Sequence, residues 1–268
     1  MTDPVSRTIL LLDIEEYSDR DDVEQAYLRR MLYTITDRVL ESCGIDETLR
    51  LRADRGDSVM ELIDAGASVT ALLRALLAET PTELRAVNRM ASQSAQIRLR
   101  AVLATGYVAV DELDGWVGAD LNHACRLLDA DVLRGALRER PDDFALCVSE
   151  SVHHGIVQHG YRGIPKDAFH PVTVESKNGP LRAWLHGPTP RGVPRHTEVP
   201  GTREQEDRTA TAPGPRTRTV PPAPLDLSNA SFGGSYVAGD QHGVSGNGTV
   251  HGDVHLGGGG AAGTGDRE

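Results

Sequence analysis

Residues 7–18 read RTILLLDIEEYS. The aliphatic run Ile9 to Leu12 is short and is followed by turn-forming polar residues, so residues 7–14 read as a buried strand. Asp13 falls at its end, where a carboxylate would sit at the sheet's edge beside the next loop. Downstream, Val23, Tyr27, Met31, Ile35 and Val39 recur near helical spacing, which predicts an amphipathic helix over 23–40. Segments 48–53 and 58–63 flank Asp54-Arg55-Gly56-Asp57 and read as a hairpin with Gly in its turn. A second helix is expected over 67–77. The stretch IRLRAVLATGYVAV at 97–110 alternates and then carries Gly106, which predicts a bent strand or two strands in succession. A third helix over 118–137 and a strand over 144–148 follow. A final hairpin joins 172–175 to 181–185 through Asn178-Gly179. The order βαββαβ, then αβ and a hairpin, belongs to the ferredoxin-like α+β class.

At roughly 150 residues per domain, 268 residues fit one large domain with a tail. Composition divides the chain into a domain at 1–186, a Pro/Thr/Arg-rich linker at 187–227 and a Gly-rich tail at 228–268. The linker has almost no large apolar residue, so it cannot bury enough surface to offset chain entropy and is expected to be disordered. The whole chain carries 28 basic and 39 acidic residues, and residues 1–188 alone carry a balance of −9. A domain so acidic, with no basic stripe, is a poor binder of nucleic-acid backbone or anionic membrane. No apolar run approaches the roughly 18 residues of a membrane helix. Cys43, Cys125 and Cys147 are odd in number and widely spaced, so they read as reduced thiols of a cytoplasmic protein. His153, His154 and His159, and His242, His251 and His255, have no Cys or carboxylate at ligand spacing, which disfavours zinc.

Three segments carry chemistry. The first holds Asp13, followed by Ile14. The second is RADRGDSVME at 52–61, with Asp57 directly after Gly56. Two aspartates at the ends of neighbouring strands suit Mg²⁺, which takes one or two carboxylates with waters and substrate phosphates, and the Ile14 carbonyl could add a ligand. The third is GWVGADLNHACRLLDA at 115–130, where Asn122 and Arg126 lie four apart on one face of a helix. An amide beside a guanidinium can grip a phosphate that is gaining charge. Each segment alone also has a structural reading: a cap, a turn, a solvated helix face.

Together, in this order, these segments over about residues 7–186 resemble the catalytic domain of class III adenylate/guanylate cyclases. The landmarks are a strand ending in D-I-x-x-[FY]-[ST], a Gly-Asp hairpin, and G-x-x-x-N-x-x-x-R opening a helix. The resemblance implies that Asp13 and Asp57, with Ile14, hold two Mg²⁺ or Mn²⁺ ions. It implies that Asn122 and Arg126 stabilise the transition state of cyclisation of a nucleoside triphosphate. It also implies a homodimer, because that family builds each site from the aspartates of one chain and the Asn/Arg helix of the other.

Departures from the family concern the base and one phosphate contact. The family's base-reading positions correspond here to Ala53 and Gly115, neither of which offers a side-chain hydrogen bond to a purine. Asp54 and Arg55, just before the Gly-Asp turn, are the nearest substitutes, or they form an ordinary turn ion pair. The family's phosphate Lys aligns with Ser176, with Lys177 one residue away. Two readings stay open: a cyclase that accepts another base, such as a pyrimidine, in bacterial signalling or defence, or an inactive cyclase-like adaptor that binds nucleotide or dimerises.

In the tail, single apolar residues alternate with Gly, and YVAGD at 236–240 half-repeats as TVHGDV at 249–254. Low charge and absence of Pro suit stacking into cross-β ladders, with Gln241 and Asn247 able to form side-chain ladders. VAGDQHGVSGN at 237–247 is similar to the Gly-x-Gln-x-Gly motifs of bacterial amyloid-signalling tails, related to the RHIM pattern Q-x-G-x-x-N. It departs from that pattern in placing Asn247 six residues after Gln241. The resemblance implies recruitment of a partner protein through the tail; the other reading is a flexible Gly-rich terminus.

Overall fold

Two aliphatic faces on one sheet organise the chain. The computed structural model describes residues 3–113, 115–176 and 179–191; Lys177 and the tail motif lie outside them. The elements run β1 (Val5–Ile14), α1 (Asp22–Ser42), β2 (Arg50–Asp54), β3 (Ser58–Asp64), α2 (Val69–Asn88), β4 (Leu99–Val110), β5 (Trp116–Val117), α3 (Ala119–Leu128), α4 (Asp131–Arg138), β6 (Phe144–Ser149), α5 (Glu150–Gly155), β7 (Phe169–Val174) and β8 (Leu181–His186). The strands form one sheet in the order β2-β3-β1-β4-β6-β8-β7, with β5 paired to β4. Its first four strands have the ferredoxin-like order. The β4–β6 pair is parallel and every other pair is antiparallel. None of the helices described is long and apolar enough to cross a membrane.

Because side chains alternate along a strand, β1 serves both faces. Leu10, Leu12 and Ile14 join the core under α1 and α2, while Ile9 and Leu11 join the core under α3 and α4. Asp13 continues the second parity and therefore emerges on the α3/α4 side. A capping box fixes the start of α1: the Asp21 carboxylate accepts from the N–H groups of Val23 and Glu24 at 2.9 and 2.8 Å, and Glu24 reaches back to the Asp21 N–H.

Two element boundaries differ from the sequence reading, and one open alternative is resolved. The second helix does not end at residue 77 but runs on through Pro81 to Asn88, because Leu84 and Val87 continue its apolar stripe against the core. The 97–110 stretch is one strand of 12 residues. Gly106 is needed there because the Asp120 side chain lies against it, where a Cβ would come within 2.2 Å of Asp120. The helix expected over 118–137 is two helices. Ala130 takes an extended conformation (φ −66°, ψ 137°), and its carbonyl accepts from Leu133 and Arg134 to begin α4.

A charged cluster is buried between α1 and the β2–β3 hairpin. Glu61 is fully buried and accepts from Arg50 at 3.0 Å and Arg52 at 2.5 Å; both arginines also reach Asp37, at 2.8 and 2.6 Å. Burial pushes the Glu61 carboxyl above its ordinary range, against the pull of the two arginines. Removing Glu61 leaves Arg50, whose side chain is 4% exposed, with little water to replace the carboxylate, whereas Arg52 and Asp37 reach solvent. Glu61→Ala is therefore expected to cost about 3 kcal/mol or more by leaving Arg50 buried and half-paired, read from the urea midpoint. A loss below 1 kcal/mol would show that water replaces the carboxylate.

Candidate active site

The end of β1 is tied to the hairpin by main chain. Ile14 N–H donates to the Asp57 carbonyl at 3.0 Å, and Asp13 stands opposite Ser58 in the ladder. Gly56 makes that turn with φ +85°, and the Asp54 carboxylate accepts its N–H at 2.8 Å. Asp13 and Asp57 consequently border one cavity of about 360 Å³, together with Ile14, the loop 15–18, Arg100, Asp129, Arg134 and Arg138. The Ile14 side chain is buried in the first core, and the residue borders the cavity. Glu16, at the rim, holds φ +54°, a left-handed conformation that costs a non-glycine residue on the order of 1 kcal/mol.

Asp13 is partnered by Arg100 on β4, whose second terminal nitrogen lies 3.5 Å from the Leu128 carbonyl at the end of α3. Burial pushes the Asp13 carboxyl up to about 6; Arg100 pulls it down, while Asp57 and Asp129 push it further up. Among the described residues no group of three or more His, Cys, Asp or Glu is placed to hold a metal ion. The donor set is two hard carboxylates and a carbonyl. It fits Mg²⁺ or Mn²⁺ that keeps water and takes its remaining ligands from a nucleotide's phosphates, rather than a cation caged by protein alone.

Arg126 and Asn122 lie elsewhere on the protomer. Arg126 borders a second cavity, of about 510 Å³, with Asp129 at its near side and residues 173–176 of the last hairpin opposite. Its Nη1 is buried without a hydrogen-bond partner. Ser176 borders this cavity too, while Lys177 is outside the described residues. Asn122, one turn before Arg126, is exposed and borders neither cavity.

The positions aligned with base recognition behave differently from one another. Ala53 is half-buried and packs against the second core. Asp54 is engaged by Arg29 of α1 and by the Gly56 N–H. Arg55 is exposed, near enough to Cys125 on α3 for its charge to lower that thiol's pKa, although burial raises it overall. Gly115 donates its N–H to Asp111 at 2.7 Å, and a Cβ there would lie 2.5 Å from the other Asp111 carboxylate oxygen. Asp111 thus occupies the space into which a residue 115 side chain would project.

Arg100, Asp129, Arg134 and Arg138 were missing from the sequence-level site. Arg100 carried a signal as a charge on an otherwise apolar strand, and Arg98 lies just before that strand. Arg98 hydrogen-bonds Glu15 at 2.6 Å and the Leu137 carbonyl at 2.6 Å.

No protein-family model matches the chain, and no curated protein matches it. Solved structures do. An adenylate/guanylate cyclase/hydrolase from Silicibacter pomeroyi aligns with a TM-score of 0.50 at 20% identity, over 70% of this chain and 99% of its own. The guanylyl cyclase Cya2 aligns at 0.48 and 18%, over 72% and 98%. A bacterial light-regulated adenylyl cyclase aligns at 0.48 and 16%, over 70% and 93%. At such identity the similarity is one of fold: a mixed α+β domain with an open sheet, matching cyclase catalytic domains.

The raised Asp13 carboxyl sets a pH dependence. The folded protein binds this proton more tightly than the unfolded chain does. Wild type should therefore lose stability relative to Asp13→Asn as pH rises from about 4 to about 6, by on the order of 2–3 kcal/mol. Above that the difference should be flat. Urea midpoints of both proteins in chelator test this, and a difference that grows in wild type's favour with pH would contradict it.

Proposed function

We propose that the chain is one protomer of a divalent-metal-dependent nucleoside-triphosphate cyclase, active as a homodimer in bacterial signalling or defence. The observation that carries this reading is the pairing of Asp13 and Asp57 at two adjacent strand ends, joined through Ile14, on a cavity rich in both acids and arginines. Asp13, Asp57 and the Ile14 carbonyl would hold two Mg²⁺ or Mn²⁺ ions. Such ions supply charge neutralisation on the phosphates and acidify the ribose 3′-hydroxyl.

In the reaction the 3′-oxygen gives its proton to solvent water and bonds to the α-phosphorus. The bond from that phosphorus to the oxygen bridging to the β-phosphate breaks, and pyrophosphate leaves. Charge builds on the α-phosphoryl oxygens, where Arg126 and Asn122 together would stabilise the transition state. Arg126 opens on a different cavity from Asp13 within one protomer, so these roles fit residues supplied by a second copy facing the first. Base contact falls to Arg55 and Asp111 flanking the unfilled positions Ala53 and Gly115, and phosphate contact to Ser176 in the second cavity and to Lys177, its neighbour in sequence.

A second reading has its own support. Neither Ala53 nor Gly115 offers a base contact, and Asp54 is already engaged, which favours a catalytically silent module that binds nucleotide or dimerises while the tail recruits a partner.

The test is mass spectrometry of products after incubation with Mn²⁺ and ATP, GTP, CTP or UTP in turn. A single cyclic product is expected, falling about 10³-fold in Asp57→Asn, the loss of several kcal/mol of transition-state stabilisation. A folded dimer yielding no product from any nucleotide would favour the silent module.

A further inference from the structure

Helix α4 puts two arginines, Arg134 and Arg138, on the wall of the Asp13/Asp57 cavity. They are four residues apart and so share a face, while Leu133, Ala136 and Leu137 bury the opposite side in the second core. Five acids border that cavity: Asp13, Glu15, Glu16, Asp57 and Asp129. Against them stand three arginines, and Arg100 is already committed to Asp13 and the Leu128 carbonyl. Without α4 the cavity would repel a polyphosphate.

Both α4 arginines are exposed and cheaply redirected. Arg138 has no hydrogen bond or ion pair among the described residues, and the ion pair of Arg134 is with Asp129 at 3.1 Å, whose side chain is 74% exposed. Such a pair contributes little and can be exchanged for a better acceptor. A guanidinium meets phosphate oxygens bidentately, which an ammonium cannot do.

The helix that presents them is anchored from behind. Arg98 donates to the Leu137 and Arg140 carbonyls at 2.6 and 3.1 Å. Arg140 in turn donates to the carbonyls of His186 and Pro188. Buried Pro190 lies against Gly135, and the Arg191 N–H donates to Glu139 at 3.0 Å. Residues 187–191, the start of the segment assigned to the linker, therefore hold α4 in place.

We propose that Arg134 and Arg138 grip the two terminal phosphates of the nucleotide and receive the departing pyrophosphate. This rests on the reading of that cavity as the nucleotide cleft. It assigns the leaving-group end of the substrate to a helix whose position is set by the beginning of the linker, and it leaves base choice to other residues.

The test is calorimetric binding of inorganic tripolyphosphate with Mg²⁺ to the full chain. Wild type is compared with Arg134→Ala/Arg138→Ala, the corresponding double Lys variant, and Arg85→Ala on α2 as a charge control. The double Ala variant should bind at least tenfold more weakly, the Lys variant should recover part of the loss, and the control should match wild type. Nucleoside monophosphates, which lack the terminal phosphates, should bind both proteins within twofold. Equal tripolyphosphate affinity in a folded double variant would overturn the proposal, as would no affinity in wild type. Arginine-dependent binding without a cyclic product from any nucleotide would retain this assignment and remove the cyclase reading. Product formation with unchanged affinity and KM in the double variant would do the reverse.

Discussion

Arg100 reaches from β4 across the sheet surface to Asp13 at the end of β1, with its other terminal nitrogen near the last carbonyl of α3. That single guanidinium ties together the strand that carries the first acid, the helix that carries Arg126, and the break after which α4 begins. A carboxylate so enclosed is costly to leave without a cation. The same burial that raises its proton affinity keeps the site reliant on positive charge, whether from Arg100, from a divalent ion or from both. The surrounding layers position this contact: aliphatic residues on both faces of β1 allow no other register, because a slip of one residue would drive Asp13 into the core under α1 and α2.

The electrostatic plan of the cavity follows. Acids at the strand ends face arginines on β4 and α4, so metal, carboxylate and phosphate charges can interleave in a space of about 360 Å³. The two cavities meet at Asp129, which borders both. Arg126 and the aspartates nevertheless face apart. On the proposed reading, symmetry completes the set: in an isologous pair each copy would lend its helix to the other's strand ends.

Much of this was legible in the sequence, for identifiable reasons. Strand β1 and the Gly56 hairpin announce themselves through aliphatic runs bounded by turn residues, and Asp13 and Asp57 fall at their ends. Alternation along β1 gives the face on which Asp13 emerges. The break between α3 and α4 was not legible, since Asp129-Ala130-Asp131 contains neither Gly nor Pro and apolar spacing runs through it. The placement of Arg134 and Arg138 depends on that break, so spacing alone does not single them out. Arg100 stands out as a charge within an apolar strand, but its pairing with Asp13 depends on the β1–β4 register, which spacing alone does not show. Pro81 lies inside α2, where packing of Leu84 and Val87 outweighs a residue that ordinarily ends helices.

Complementation tests the central claim, that each active site takes its aspartates from one copy and its Asn122/Arg126 helix from another. Asp57→Asn and Arg126→Ala are purified separately, unfolded, mixed in equal amounts and refolded together, and cyclic product is measured. Random pairing makes half of the dimers mixed, each with one intact site, so activity should rise from near zero in either variant alone to about a quarter of wild type. A mixture as inactive as its components, beside an active wild-type protein refolded in the same way, would contradict the account.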